Sequence, residues 1–326
     1  MRLDGLDDAA VARAAALIAA GELVGFPTET VYGLGARADD DDAVARIFAL
    51  KGRPSGHPLI VHVADAADAA RFTPSMPALA ARLIDAFWPG PLTVIVPRAI
   101  GMATAAAAGQ PTIGLRCPAH GIARALLVAS RNAGVPGIAA PSANRFGRIS
   151  PTTAAHVEEE LGAGLLVLDG GAARIGIESA IVDCSGSAPV LLRPGALTSR
   201  QIEDAAGMPL AAADAGSPRA PGTLANHYAP HARLRLMSTA MLQTALRMLG
   251  SEPLKLAVYS RSVPSGVATG VNHRRMPSRP EQAAHELFSV LRELDLDGVH
   301  LIWVEEPPPG PEWDGVRDRL SRAAAA

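Results

Sequence analysis

Apolar residues fall along this chain in stretches of two kinds. "DDAAVARAAALIAAG" (7–21) is opened by acidic residues, filled by Ala and closed by Gly21, which predicts a first helix. "DDDDAVARIFALKG" (39–52) predicts a second, with aspartates at its positive end and Lys51 and Gly52 at its stop. "PALAARLIDAFWPG" (77–90) is a third, broken by Pro89. The other apolar runs are short and read as strands. "ELVGFPTET" ends at Pro27, and "PLIVHV" is continuously apolar, as interior strands are. "LTVIVPR", "TIGLRCP", "VPGIAAPSA", "GLLVLDGG", "SAIVDCSG" and "PVLLRPG" follow, each punctuated by Gly, Pro or a polar loop.

From about residue 205 to 230 the pattern lapses. "AAGMPLAAADAGSPRAPGTLANHYAPH" is rich in Ala, Gly and Pro and carries no apolar period, so it reads as a linker. Beyond it, "ARLRLM", "TAMLQTALRML", "LKLAVYS", "EQAAHELFSVLRELDLDG", "VHLIWVEE" and "WDGVRDRLSRA" alternate strand with helix, the mark of a small parallel α/β layer. The expected organisation is a domain over 1–205, a linker or lid over 206–230, and a second domain over 231–326. No internal repeat is visible.

Composition narrows the function classes. With 48% hydrophobic and 19% charged residues over 326 positions, the chain is an ordinary globular one. A formal net charge of −2 argues against binding nucleic acid over the whole surface, so any anion site is local. Thirty basic residues include only two lysines, Lys51 and Lys255; a lysine two residues before Arg53 points to a need for a compact ammonium. Two cysteines give neither a disulfide framework nor a CxxC metal spacing. The acidic start lacks the apolar core of a signal peptide, and no run is long enough to span a bilayer, so the expected setting is the cytoplasm.

Several familiar sites are missing from the sequence: a GxxxxGK[ST] loop, a GxSxG elbow and an HExxH helix. "GLGARA" (33–38) fits a loose GxGxxA dinucleotide fingerprint, but "PTETVY" separates it from the preceding strand and no acidic residue follows at the expected distance. In "HYAPH", Pro230 prevents the helical turn that would pair His227 with His231 on a metal.

Polar residues do gather where strands end. "PTET" supplies Thr28, Glu29 and Thr30; "KGRPSGH" supplies Lys51, Arg53 and His57, and the next strand adds His62. "PTIGLRCP" adds Thr112 and Arg116, "APSANRFGRISPTT" adds Ser142, Asn144, Arg145, Arg148 and Ser150, "IESAIVD" adds Ser179 and "LLRPG" adds Arg193. Singly, each has a plain structural explanation; Ser150 before Pro151 reads as a helix N-cap. Jointly they cap at least five strands, where open sheets collect ligand groups. Arg53, Arg116, Arg193 and Lys51 on one concave face would repel one another unless they served anions such as phosphate and carboxylate. The pattern implies a nucleotide and a small anion held without a P-loop.

"FPTETVYGLGA", "KGRP…PLIVHV", "FWPGPLTVI", "TIGLRCP", "PSAN…SPT", "ESAIVD" and "LLRPG" closely resemble, in order over residues 10–200, the YrdC-like domain of threonylcarbamoyl-AMP synthases. "SPRAPGTLANHYAP" and the stretch after it resemble the longer, two-domain branch. The resemblance implies an α/β fold: a YrdC-like twisted mixed sheet with helices and a concave nucleotide site, plus a smaller Rossmann-like C-terminal domain. It also implies a nucleotidyltransferase that joins L-threonine, bicarbonate and ATP into L-threonylcarbamoyl-adenylate and releases pyrophosphate. A separate transferase complex then modifies adenosine 37 of tRNAs reading codons that begin with A; direct tRNA binding is expected to be weak or absent. Carried over by resemblance, the threonine site comprises Thr30, His62, Arg116, the backbone of Ala140, and Ser179. The ATP site comprises Lys51, Arg53, His57, Thr112, Ser142, Asn144, Ser150 and Arg193, with Tyr228 reaching back from the linker. Lys51 and Arg53 are the residues expected to drive catalysis, and Mg²⁺ is expected to ride on the ATP phosphates rather than in a protein cage. His57 stands where the family often has Asn, which raises the prospect of pH dependence near neutrality.

Two other readings fit parts of this pattern. An arginine-lined face could hold RNA phosphates, but aromatic residues are only 4% of the chain and few neighbour the basic loop. A carbamoyl-transfer enzyme of the hydrogenase-maturation type contains a similar domain, but such proteins are much longer and carry zinc-finger cysteines.

Overall fold

The computed structural model describes every residue except 225, 250–254 and 265–270. It divides into two units: Met1–Phe146 with Ser150–Thr223, and Gly147–Ile149 with Leu224–Ala326.

Local chemistry sets the helices of the first unit. The Asp7 carboxylate accepts the Ala9 N–H at the start of helix Asp8–Ala19. Asp40 accepts from Asp42 and Ala43 ahead of helix Asp41–Lys51, and Gly52, at φ +62°, closes that helix in the left-handed conformation. The chain therefore turns sharply just after Lys51, which delivers the basic loop. Helix Ala78–Phe87 is the third expected one. Helices Gly121–Asn132 and Ser199–Ala206 lie where the sequence pattern predicts no helix, and Ala154–Leu161 follows the expected cap at Ser150. Ala154–Leu161 is capped by Thr153, which corrects the reading of Ser150 as its cap.

Ten strands form one mixed sheet. In spatial order they are Arg2–Asp4, Leu166–Asp169, Val24–Phe26, Gly33–Arg37, Ile138–Ala139, Ile60–His62, Thr112–Arg116, Leu92–Pro97, Ala180–Asp183 and Val190–Arg193. Gly33–Arg37, inside the "GLGARA" stretch, is a central strand and not a phosphate loop, so the dinucleotide reading falls. Gly35 has to be glycine for packing: a Cβ there would come within 2.7 Å of Ile138 Cγ2 and 2.9 Å of the Phe26 ring.

Each face of the sheet is covered differently. Leu34, Ala36, Val61, Val94, Leu115 and Val182 belong to the larger core, which also takes buried side chains from helices Asp41–Lys51 and Ala78–Phe87. Helices Asp8–Ala19 and Gly121–Asn132 bury against Val24, Phe26, Ile138, Leu166 and Leu168 in a second core. Beside the second core, Ile60, Ile95 and Ile181 are met by Ala220. Residues 211–221 thus lie along this unit although no helix or strand includes them. Ala211 N–H donates to Pro189 O at 2.8 Å, Gln110 exchanges bonds with the Arg219 main chain, and Arg193 Nη1 reaches Pro221 O at 3.0 Å.

In the second unit, strands Arg233–Met237, Leu301–Glu305, Leu256–Ser260 and Asn272–Arg275 lie in that order, all parallel. Helices Thr239–Met248, Pro280–Leu296 and Asp314–Ala324 connect or follow them. Leu254, which the sequence places at a strand start, and Ala225, within the expected linker, lie outside the described residues.

Candidate active site

Side chains alternate across a strand, so residues two apart share a face. Ile60 and His62, Gly114 and Arg116, and Thr93 and Ile95 therefore present one face, and the register sets His62 opposite Arg116 and Thr93 opposite Ile181. Ser179, just before strand Ala180–Asp183, joins the row through a 2.8 Å contact between its hydroxyl and that of Thr93. His62, Arg116, Thr93 and Ser179 thus cross four adjacent strands in a line, all buried. Gly114 pairs with Ile60 and Ile95 beside this row, so no side chain from that position adds to it.

Arg116 Nε donates to Gly90 O at 3.3 Å, and its Nη2 lies 2.7 Å from Glu29 Oε1 without the alignment of a hydrogen bond. Thr28 and Thr30 sit beside Glu29 with their hydroxyls 2.8 Å apart. Thr28 gives its only hydroxyl proton to Val31 O at 2.6 Å, so Thr30 must donate to Thr28. The lone pairs of Thr30 are left to accept from a ligand hydroxyl.

Burial, and then the Arg116 charge, push the His62 imidazole down to about 3, against a smaller opposing pull from the Ile138 and Ile60 carbonyls. His62 is accordingly neutral at pH 7, edge-on to Phe26 with centroids 6.0 Å apart. An unfolded imidazole titrates near 6.5, so between about 6.5 and 3 the unfolded chain binds a proton that the folded chain refuses. The contribution of neutral His62 is complete above that window and is lost as pH falls through it, at about 1.4 kcal/mol per pH unit. Urea midpoints taken between pH 7 and 4.5 should fall more steeply for the native sequence than for His62→Gln; parallel curves would refute the assignment.

The basic loop packs against residues 142–146. Lys51 Nζ donates to Ser142 O at 2.6 Å and to Asn144 O, and Phe146 N–H returns to Lys51 O at 2.9 Å. Arg53 lies over the Phe146 ring at 5.7 Å and donates to Pro58 O, and His57 meets the same ring edge-on. Burial first, then Arg53, hold the Lys51 ammonium well below its ordinary pKa; the Glu160 and Glu178 carboxylates act in the opposite sense. Burial, then Arg53 and Arg219, lower His57 below 6.5, so the imidazole is the uncharged form at neutral pH. The loop is short of negative charge and would gain from a bound polyanion.

Other expected residues sit as follows. The Ser150 hydroxyl donates to Glu178 Oε1, next to Ser179. Arg193 turns Nε and Nη2 to Ser179 O at 3.1 and 2.9 Å, and Nη2 also reaches the Ser179 hydroxyl. With Nη1 on Pro221 O, its guanidinium ties residues 179 and 221 together where a phosphate fork was expected. Ala140 N–H is bonded to Ile60 O at 2.9 Å, so a ligand contact there falls to its carbonyl. Thr112 starts its strand, opposite Pro97. Tyr228, expected over the nucleotide, belongs to the C-terminal unit, where its ring stacks on Phe288 at 5.4 Å and faces the Arg319 guanidinium at 5.4 Å.

Four residues of the site had no assigned role in the sequence reading: Glu29, Thr93, Glu178 and Arg219. Thr93 was detectable as a polar residue inside an apolar strand, and Glu178 adjoins Ser179. Nothing in the sequence links Arg219 to His57, 162 positions before it.

This architecture has known counterparts. Residues 16–195 match the Sua5_yciO_yrdC family, described as "Telomere recombination", and residues 197–325 match "Threonylcarbamoyl-AMP synthase, C-terminal domain". The threonylcarbamoyl-AMP synthase of Bacillus subtilis is 39% identical over 98% of this chain and 94% of its own, and that of Pyrococcus abyssi is 37% identical over 95% and 93%. The crystal structure of P. abyssi Sua5 complexed with L-threonine superposes with a TM-score of 0.88 at 34% identity, covering 99% of this chain and 96% of that one. E. coli YciO shares the fold at 22% identity and a TM-score of 0.52 over 62% of this chain. The chain therefore belongs to the Sua5_yciO_yrdC family, in the two-domain branch whose activity is threonylcarbamoyl-AMP synthesis.

Proposed function

We propose that this chain acts as a nucleotidyltransferase, converting L-threonine, bicarbonate and ATP to L-threonylcarbamoyl-AMP, pyrophosphate and water. The observation that carries the reading is one unit holding both a buried polar row, His62–Arg116–Thr93–Ser179, and a cationic loop short of anions. Arg116 takes the threonine carboxylate, and the Thr30 oxygen accepts a hydrogen bond from the threonine hydroxyl. Lys51 and Arg53 neutralise the triphosphate, with neutral donors from His57, Ser142 and Asn144 and from Thr112 at the strand start, while Ser150, its proton held by Glu178, offers the nucleotide only its lone pairs.

The N-carboxylated threonine attacks the α-phosphorus through a carbamate oxygen, and the bond to the departing pyrophosphate breaks. Nothing in this step needs a covalent enzyme nucleophile; orientation and charge neutralisation supply the rate. Mg²⁺ on the phosphates would add charge neutralisation when bound. Among the described residues no three His, Cys, Asp or Glu side chains gather as a metal cage, and the ion is assigned to the phosphates themselves. Residues 211–221 limit the access of water to the acyl-adenylate, which hydrolyses readily. The product would pass to a tRNA threonylcarbamoyl transferase complex. Pyrophosphate release from ATP should require both threonine and bicarbonate; release indifferent to either would defeat this reading.

A further inference from the structure

Threonine enters with an ammonium, yet none of the side chains assigned to it so far is negative. Glu29 is. It sits beside Thr30 and is 1% exposed. Neither carboxylate oxygen has a hydrogen-bond donor, and the one ionic contact, Arg116 Nη2 at 2.7 Å, lacks hydrogen-bond alignment. Main-chain bonds fix its position: Ile175 N–H donates to Glu29 O at 2.7 Å and Gly176 N–H to Thr30 O at 3.1 Å. A buried carboxylate normally gathers several donors, because desolvation is otherwise uncompensated. Arg116 is similarly underused: of its five N–H donors, one reaches Gly90 O.

Glu29 and Arg116 together form a buried pair of opposite charges, each with bonding capacity to spare. An α-amino acid zwitterion carries the complementary pair across its Cα. Placed over the row it would give Arg116 its carboxylate and Glu29 its ammonium, and so satisfy both members. A site built only to grip carboxylate would gain nothing from a second carboxylate 2.7 Å from its arginine.

We propose that Glu29 anchors the substrate ammonium and accepts its proton when the amine becomes a nucleophile, an inference that rests on the threonine reading of this site. An ammonium has no lone pair, so it must lose a proton before the N–C bond can form. One proton passes to the Glu29 carboxylate. The freed amine bonds to the bicarbonate carbon, and the bicarbonate hydroxyl leaves with a second amine proton as water. The product is the N-carboxylate that goes on to ATP.

Isothermal titration of the full-length protein with L-threonine and with 3-hydroxybutyrate, which is threonine without its amino group, separates anchoring from support. The native sequence should prefer threonine at least tenfold. Glu29→Gln, of the same shape without charge, should weaken threonine at least tenfold and leave 3-hydroxybutyrate unweakened, and Glu29→Asp should recover part of the threonine affinity. Equal weakening of both ligands would overturn the proposal by making Glu29 a mere prop for Arg116. Equal affinity of the native protein for the two ligands would overturn it without recourse to any variant. Failure of the native protein to bind threonine at all would instead overturn the amino-acid reading, and the anchor with it.

Discussion

Arg53→Ala should lower the rate of pyrophosphate release by about 10²–10³-fold, the usual cost of losing one oriented electrostatic donor. The effect should fall on turnover more than on threonine affinity, because Arg53 belongs to the basic loop and Arg116 to the amino-acid row. Lys51→Ala should be as damaging, but it is harder to interpret. Lys51 Nζ bonds the carbonyls of Ser142 and Asn144, so its removal also strips a donor from each of these main-chain oxygens. Arg53 Nη2 donates to Pro58 O inside its own loop and its guanidinium lies over Phe146, so a thermal midpoint measured alongside separates lost turnover from lost fold. Turnover within a factor of about two of the native rate in Arg53→Ala would contradict the phosphate role.

Arg116→Ala should have the largest effect on stability. Arg116 and Glu29 are 4% and 1% exposed, so solvent screens the pair little. Removing the guanidinium leaves a carboxylate in the interior without its counter-charge, at a cost of about 3–5 kcal/mol. Adding Glu29→Gln to the same chain should return most of that loss, since the remaining partner is then neutral. Urea unfolding of the two single variants and the double variant measures the coupling; additive losses would show that the pair does not interact. The same Arg116→Ala protein, assayed where it is folded, should need much more threonine, and an unchanged KM would exclude Arg116 as the carboxylate partner.

Much of this was legible in the residues. Aspartates at 39–42 and Gly52 marked the helix that ends in Lys51, and the apolar runs marked most strands of the large sheet. Legibility failed where a residue's partner is remote. Gly33–Arg37 looks like a loop because two glycines lie in five residues, yet those glycines clear room for Phe26 and Ile138. Helix Gly121–Asn132 starts without a side-chain cap, although Ile122, Ala123, Leu126, Leu127 and Ser130 carry a buried stripe that could have revealed it. Asn272–Arg275 is a strand with no apolar residue, which only its ladder to Leu256–Ser260 explains.

The site divides in the same way. Residues on strand ends were found because strand ends collect ligands, and His62, Arg116 and Ser179 do fall in one row. Arg193 contacts carbonyls 14 and 28 residues away, and Ser150 a carboxylate 28 residues away, beyond any local pattern. His57 looked like a switch near neutrality; burial first, then Arg53 and Arg219, lower its pKa and favour the uncharged ring there.

The bond from Arg193 to Pro221 carries a lesson about modularity. Helix Ser199–Ala206 is the last regular element of the first unit, and a gene fusion or domain exchange would naturally be joined just after it. Such a joint would leave one guanidinium edge unsatisfied and wet three isoleucines that Ala220 now shields. The heritable module ends beyond its last helix, at about Thr223.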